Sequence, residues 1–346
     1  MQTLKYHTGE RVTEVFVGLS WTKVKELINP DHTIIITDVN IKGIYGKDFP
    51  DCLTICLDHG ESSKSLDSIE TIIKELLRME VDRSWFILGI GGGVICDISG
   101  FVASIYMRGI SFGFVSTSLL SQLDASTGGK NGVNCSGYKN VIGCFTQPEF
   151  VICDPEQLKS LPEDEFVSGL GELVKHALIS DSDLFEYLEL NARKVVRENT
   201  ELMENLVSRS VAIKIAIVEQ DERESDLRRL LNFGHSLGHA IETVTKKKHG
   251  FAVAEGIYFS FLYAYENNMI NKESLDRLIS LFRTLSLMDS IPVMKEEYIQ
   301  PLLRDKKRDG ANISFVIPKS IGSVAIIHLA LNDLIDWMNK KIKNEG

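Results

Sequence analysis

The chain has 346 residues, more than one compact domain ordinarily needs, and its 44% hydrophobic and 25% charged content is that of a globular protein rather than a disordered one. The formal net charge is -10, with 38 Lys and Arg against 48 Asp and Glu, and the basic triplet Lys246 to Lys248 reads as a solvated turn, which argues against a nucleic-acid partner. The longest stretch without a charged residue, Gly109 to Leu123, is too short to span a bilayer, and Met1 to Glu10 lacks the basic-then-apolar pattern of a secretory signal, so the expectation is a cytoplasmic protein without a membrane partner.

In chain order, Thr33 to Thr37 reads as a buried strand, Ser68 to Leu77 as a helix, Ser84 to Ile90 as a second buried strand and Gly113 to Ser116 as a third. Continuous apolar strands alternating with helical spacing predict a parallel sheet covered on both faces. Twelve of the 26 glycines lie between Gly89 and Gly143, as expected where a backbone turns tightly around phosphate groups. All six cysteines fall in the first 153 residues and none are spaced C-x-x-C, so reduced, mostly buried thiols are expected rather than a zinc knuckle. Beyond Asp154-Pro155 helical periodicity dominates to about Ser286, with Leu170, Leu173, Val174, Ala177 and Leu178 on one stripe, and two short strands, Ile313 to Ile317 and Ser323 to Ile327, flank Pro318 to Gly322. The chain therefore reads as an α/β nucleotide-binding domain over residues 1–155 and a mainly α-helical domain over residues 156–346, with a ligand cleft between domains.

Three segments carry candidate chemistry. Gly91-Gly92-Gly93-Val94 follows a buried strand, with Asp97 just beyond, and glycines at a strand-to-helix junction expose backbone N–H groups to a phosphate. The ordinary G-x-G-x-x-G dinucleotide fingerprint is absent. Asp38, past the first strand, is a candidate for ribose hydroxyls. The stretch DASTGGKNGVNCSGYKN sets Lys130 and Lys139 among glycines, with Arg108 shortly before, and suits an anionic substrate such as a phosphate.

The third segment reads as one helix from about Leu227 to Val244. Its apolar residues gather on one side, while Arg228, Asn232, His235, His239 and Glu242 form a narrow stripe opposite. Gly234 and Gly238 lie beside the histidines, at a cost of about 1 kcal/mol each in helix stability, which suggests a close neighbour. H-x3-H could supply two ligands to a divalent metal, with His249 or a carboxylate as the third, or one histidine could be a ligand and the other an acid/base group. By periodicity alone Glu172, opposite its helix's apolar stripe and one turn from Lys175, is a surface glutamate.

These residues sit in motifs that together resemble the 3-dehydroquinate synthase family of sugar phosphate cyclases: GGGVICDISGFVASIYMRG, LDASTGGKNGVN, YKNVIGCFTQP, GLGELVKHALI, LLNFGHSLGHAIE and RDKKRDG. The resemblance covers most of the chain and is firmest from about Gly91 to Gly310. It implies an N-terminal nucleotide-binding α/β domain and a C-terminal helical domain, usually in a homodimer, binding NAD+ and zinc or cobalt. It implies a lyase of the shikimate pathway that converts 3-deoxy-arabino-heptulosonate 7-phosphate to 3-dehydroquinate and phosphate. The implied sequence is oxidation at C5, phosphate elimination, reduction, ring opening and aldol closure, with the leaving phosphate itself proposed to take the C6 proton.

By the same resemblance Glu172, His235 and His249 are the metal ligands, against the surface reading of Glu172. His239 is a proton-transfer group, and Asp124 and Lys175 are further polar groups around the sugar. Lys214, Arg228 and Asn232 hold the substrate carboxylate. Lys130, Lys139, Asn140, His239 and Lys306 meet the phosphate, with Arg108 reaching in from a partner subunit. Asp38, Asn40, Glu61, Lys64, Gly92, Gly93, Val94, Asp97, Thr117, Ser118 and Leu120 match the NAD contacts. Domain closure would bring cations of the glycine-rich half and of the helical half together over the substrate.

The chain departs from the family pattern at Ser116-Thr117-Ser118 (commonly Pro-Thr-Thr), at Asn131 after Lys130 (commonly Thr), and at Phe251, where an acidic residue commonly follows His249-Gly250. An acidic neighbour can orient a metal-binding histidine, so Phe251 bears on metal affinity or rate. Competing readings are a cyclase acting on a carboxylate-free sugar phosphate, a metal-dependent polyol dehydrogenase of the same fold, and an inactive paralogue that binds nucleotide.

Overall fold

A computed structural model describes residues 1–9, 11–303, 308–309 and 312–345. The chain divides into two compact units, Met1–Leu161 with Arg197–Arg223, and Pro162–Val196 with Glu224–Gly346. The division expected at residue 155 thus lies at 161, and residues 197–223 pack with the first unit instead of the second. The reason is polar as well as apolar. The helix over these residues bonds back to the α/β part through Thr200 Oγ1 to Glu156 Oε1 (2.6 Å), Glu219 Oε1 to the His7 N–H (2.8 Å), and Ser208 to Gln2.

The first unit contains β1 (Gln2–Thr8), β2 (Arg11–Val17), β3 (Thr33–Asp38), α1 (Val39–Tyr45), β4 (Leu53–Leu57), α2 (Leu66–Arg78), β5 (Phe86–Gly91), α3 (Gly93–Ile105), β6 (Ser111–Ser116), β7 (Lys130–Cys135), β8 (Tyr138–Phe145) and β9 (Phe150–Cys153). Seven of these strands form one sheet in the order β1-β2-β9-β6-β5-β3-β4, parallel throughout except for the antiparallel β1–β2 pair. β3 is TIIITD with its first five residues buried, as a central strand covered on both faces requires. α2 buries Ile69, Ile72 and Leu76 on one stripe and is capped by Ser65, whose side chain accepts from the Ser68 N–H. Trp21, Val24, Ile35, Leu88, Ile90, Val115, Phe150 and Ile152 form a core cluster. The β1–β2 pair was not anticipated, although RVTEVFV alternates with Thr13, Val15 and Val17 inward. The glycine-rich stretch with Lys130 and Lys139 is largely the β7–β8 antiparallel ladder. All six cysteines are free, with Cys96 and Cys153 buried and the others half-buried.

The chain passes from β3 to β4 on one side and then to β5 on the other. The sheet order therefore reverses at β3/β5, and the carboxyl ends of these strands are the usual ligand edge of an open parallel sheet.

The second unit holds α4 (Glu163–Ser180) and α5 (Ser182–Asn191), and, after the helix of the first unit, α6 (Thr200–Gln220), the helices α7 (His235–Thr245), α8 (His249–Glu266), α9 (Lys272–Thr284), α10 (Ile299–Leu303) and α11 (Leu331–Glu345). It also carries β10 (Arg308–Asp309) and the hairpin β11 (Asn312–Ser320) and β12 (Ser323–Ala330). α4 opens with Glu163, Asp164 and Glu165 in its first turn, where the helix dipole favours negative charge.

The single helix expected over 227–244 is broken. Leu227–Asn232 is a short 3-10 helix, Phe233 is extended (φ -55°, ψ 127°), Gly234 is left-handed (φ 77°), and α7 starts at His235. Arg228 and Asn232 therefore do not continue the histidine stripe. Packing decides this: a Cβ on Gly234 would lie 2.5 Å from Ile257 Cγ1 and 2.7 Å from the Val253 carbonyl, and one on Gly256 would lie 2.0 Å from the Gly234 carbonyl.

Gly256→Ala is expected to destabilise the second unit by about 1–3 kcal/mol through overpacking, seen as a lower urea midpoint. Gly43→Ala on α1, where a Cβ meets nothing within 4 Å, should be neutral or stabilising by up to about 1 kcal/mol. Equal effects of the two would refute the close-approach account.

Candidate active site

Two backbone contacts build the site in the second unit. A Cβ on Gly171 of α4 would lie 2.5 Å from the Gly250 carbonyl, and one on Gly250 would lie 1.7 Å from the Ser168 carbonyl. α4 and the start of α8 thus touch backbone to backbone, and the Gly250 N–H donates to Ser168 Oγ at 3.0 Å. Each glycine adjoins a site residue, Glu172 and His249. On the other side, a Cβ on Gly238 would lie 3.1 Å from the Ala252 carbonyl, so α7 also lies close against α8, with His235 at its first position.

The side chains converge accordingly. Glu172 Oε1 faces His249 Nε2 at 3.5 Å and His235 Nε2 at 3.8 Å, and its Oε2 is paired with Lys175. Glu172 is 0% exposed, which overturns its reading as a surface glutamate: α4 is buried all round from Phe166 to Ile179. The His235 Nδ1 bonds the Phe233 carbonyl at 3.1 Å, and the His249 Nδ1 faces Glu242 Oε2 at 3.4 Å. An Nδ1–H donated to each oxygen leaves both Nε2 lone pairs turned to Glu172.

Two ligands about 2.0–2.2 Å from one tetrahedral cation are ~3.3–3.6 Å apart. The candidate ligand atoms of Glu172, His235 and His249 all lie within 4.8 Å of one another, and two imidazoles with one carboxylate suit zinc and its neighbours. The residues therefore fit a divalent metal. His239 is beside them, with its ring 5.3 Å from that of His235 and 6.1 Å from that of His249. Arg228 is buried in the 3-10 helix, and Asn232 donates to Glu224. Lys306 and most of the RDKKRDG segment lie outside the described residues.

In the first unit the residues matched to NAD sit at the carboxyl ends of β3, β4, β5 and β6. Asp38 ends β3 and caps α1, accepting from the Asn40 and Ile41 N–H groups at 2.9 and 3.0 Å. Gly92 is the N-cap of α3, and a Cβ there would meet Ser118 Oγ at 3.2 Å, while one on Gly93 would meet the Ala125 Cβ at 3.2 Å. Val94 is in the first turn of α3. The Thr117 N–H donates to the Gly91 carbonyl at 3.0 Å, joining the ends of β5 and β6, and Leu120 follows at the next turn. Lys64 is buried and paired with Asp97; burial pushes the Asp97 carboxyl up, and Lys64 opposes that shift. Glu61 accepts from Asn134 Nδ2 at 2.8 Å, a partner on β7 that the sequence reading did not pick out.

Lys214, expected from the helical half, lies on α6 in the first unit, buried, and donates to Asp124 at both its carbonyl (2.6 Å) and its carboxylate. Lys130 and Lys139 are exposed on β7 and β8. Asn140 has φ 49°, and its N–H donates to Asn134 Oδ1 at 2.9 Å. Arg108, also at positive φ (66°), is exposed after α3. Asn131 is buried, and its Nδ2 donates to the Gly129 and Thr146 carbonyls at 3.0 and 2.8 Å; a Cβ on Gly100 would run into it.

These features define a class: an enzyme with a nucleotide-type glycine turn at the ligand edge of an open α/β sheet, and a cluster of three candidate cation ligands in a helical unit. Residues 54–168 match the family model 3-dehydroquinate synthase N-terminal, and residues 169–308 match 3-dehydroquinate synthase C-terminal. A 3-dehydroquinate synthase of Alkaliphilus metalliredigens is 35% identical over 98% of this chain and 98% of its own length. The chain belongs to the 3-dehydroquinate synthase family. Among solved structures, a 2-deoxy-scyllo-inosose synthase complexed with carbaglucose-6-phosphate, NAD+ and Co2+ superposes with a TM-score of 0.87 at 22% identity, covering 98% of this chain and 100% of that one. A 2-epi-5-epi-valiolone synthase of Streptomyces hygroscopicus with NAD+ and Zn2+ gives 0.87 at 24% identity, with 100% of both chains covered. At these identities the likeness is one of fold.

Burial pulls the His249 imidazole down, but Glu172 and Glu242 outweigh it and push its pKa up to about 9. A raised histidine stabilises the metal-free fold fully below its unfolded pKa of about 6.5, and that contribution is lost as pH rises through about 9. A metal must displace this proton. Zinc uptake at pH 8 is therefore expected to release about one proton, measured by calorimetry in two buffers of different ionisation enthalpy. Proton release near zero would refute it.

Proposed function

We infer that the protein is a 3-dehydroquinate synthase: a phosphate-eliminating lyase that converts 3-deoxy-arabino-heptulosonate 7-phosphate to 3-dehydroquinate, with NAD+ and a divalent metal as cofactors. The convergence of Glu172, His235 and His249 on one point is the observation that carries this reading. Family membership supports it.

Glu172, His235 and His249 would hold zinc or cobalt, which supplies Lewis acidity toward substrate hydroxyls and eases their ionisation. NAD+ belongs at the β3/β5 edge, where Asp38, Asn40 and Glu61 suit ribose hydroxyls and the Gly92–Gly93–Val94 turn suits the pyrophosphate. Lys64, Asp97, Thr117, Ser118 and Leu120 complete that edge. Lys175, buried against Glu172, holds one carboxylate oxygen so that the other stays directed at the histidines. His239, whose ring neighbours those of His235 and His249, would move a proton at the C5 hydroxyl. Arg228 and Asn232 suit the substrate carboxylate as planar and amide donors, and Lys214, oriented by Asp124, adds a third. Lys130, Lys139, Asn140, Lys306 and Arg108 suit the phosphate, Arg108 as a contribution across a homodimer. We place the enzyme in the cytoplasm; among the described residues no helix is long and apolar enough to cross a membrane.

Incubation with the heptulosonate phosphate, zinc and catalytic NAD+ should release phosphate through many turnovers. Steady NADH accumulation would instead indicate a dehydrogenase, and neither product an inactive paralogue. His235→Ala should abolish metal binding and turnover; full metal content in that variant would contradict the ligand set. Arg228→Ala should raise KM by about 10–100-fold, the loss of a charged hydrogen bond. An unchanged KM would remove the case for a carboxylate-bearing substrate over a carboxylate-free one.

A further inference from the structure

We propose that Glu242 is the positioning residue of His249. In this role its carboxylate, reaching from α7 across to the first residue of α8, accepts the Nδ1–H, fixes the imidazole's tautomer and turns Nε2 toward Glu172. This rests on the ligand set proposed above and goes beyond it, since Glu242 is not one of those ligands.

The geometry is that of a relay of three groups. Glu242 Oε2 lies 3.4 Å from His249 Nδ1, and on the far side of the ring Nε2 lies 3.5 Å from Glu172 Oε1. The Glu242 side chain is 13% exposed, so solvent competes little for its oxygens. His249 needs such an anchor more than His235 does. The His235 ring is fixed by the Phe233 carbonyl two residues back, on its own segment. His249 opens a helix after the turn 246–248, and the next side chain on its own segment, Phe251, offers no acceptor.

The lysines of that turn pair with other carboxylates, Lys247 with Glu255 and Lys248 with Asp164 and Glu165 at 2.6 Å each. The turn is thereby held to α4 and α8, and Glu242 orients the ring that follows it. A carboxylate acceptor also makes the ligand nitrogen more basic than a carbonyl acceptor does, so the two histidines are unequal donors.

The test measures metal, not turnover. Zinc affinity is read by chelator competition, and the Co2+ form by its visible absorption, for wild type, Glu242→Ala, Glu242→Gln and His235→Ala, with NAD+ affinity as the check of folding. Glu242→Ala should lose about 10–100-fold in zinc affinity and shift the Co2+ bands. Glu242→Gln, which keeps an acceptor oxygen, should recover most of the affinity, and NAD+ affinity should hold in both. Unchanged zinc affinity and Co2+ bands in Glu242→Ala would overturn the proposal. So would a loss in both Glu242 variants as complete as that of His235→Ala, because Glu242 would then be a ligand itself. Full metal retention by His235→Ala would be a separate failure, that of the ligand set on which the proposal rests.

Discussion

The second unit is organised by how closely three helices can approach. Helix axes usually pack about 8–10 Å apart, set by the side chains at the contact, and glycine at a contact lets two backbones touch directly. Here Gly171 meets Gly250 across α4 and α8, and Gly234 and Gly238 meet α8 at Val253, Ala252 and Gly256. Each contact is made where a Cβ would collide with backbone. The proposed ligands are the immediate neighbours of these glycines: Glu172 after Gly171, His249 before Gly250, His235 after Gly234. Gly171 and Gly238 lie within helices, where glycine is costly, and the close contacts they permit help set three donor side chains around one point.

That constraint also explains which parts of the site were legible in the sequence. The buried strands TIIIT and SWFILGI and the hairpin around Pro318 to Gly322 were readable, because a central parallel strand must be apolar on both faces and the hairpin strands are short apolar runs around a turn. The histidines were readable as an unusual polar stripe with adjoining glycines. The break at Phe233-Gly234 was not, because periodicity continues through it at roughly 100° per residue; only the collision with Ile257 and Val253 shows that the helix must stop. Glu172 was misread for a related reason. A helix packed on every side has no surface face for periodicity to find, and a buried carboxylate opposite an apolar stripe looks like a solvated one until its partners are known.

Family resemblance supplied what periodicity could not, but it did not describe the local chemistry of this chain. Lys214, which belongs to the first unit and not to the helical one, is bonded to Asp124, so the lysine is presented with a fixed direction. Asn131, a departure from the family pattern, uses its amide to tie the Gly129 and Thr146 carbonyls, closing the base of the β7–β8 ladder that carries Lys130 and Lys139. A threonine hydroxyl has one donor and could not satisfy both carbonyls. The substitution is therefore compatible with a rigid, lysine-bearing hairpin and sits tightly against Gly100 of α3.

The electrostatics of the cluster follow from the same packing. Two carboxylates, Glu172 and Glu242, face opposite nitrogens of one imidazole, and Lys175 pairs with the other oxygen of Glu172. Negative charge facing one ring from both sides in a largely buried setting favours a positive charge between them. A proton on His249 meets it in the metal-free protein, which is why the ring stays charged well above its ordinary range. A divalent ion held by Glu172, His235 and His249, as proposed above, would meet it with more charge and would have to displace that proton. The helices thus bring two carboxylates and two imidazoles together at one point of the second unit, an arrangement whose charge and donor set suit a divalent cation.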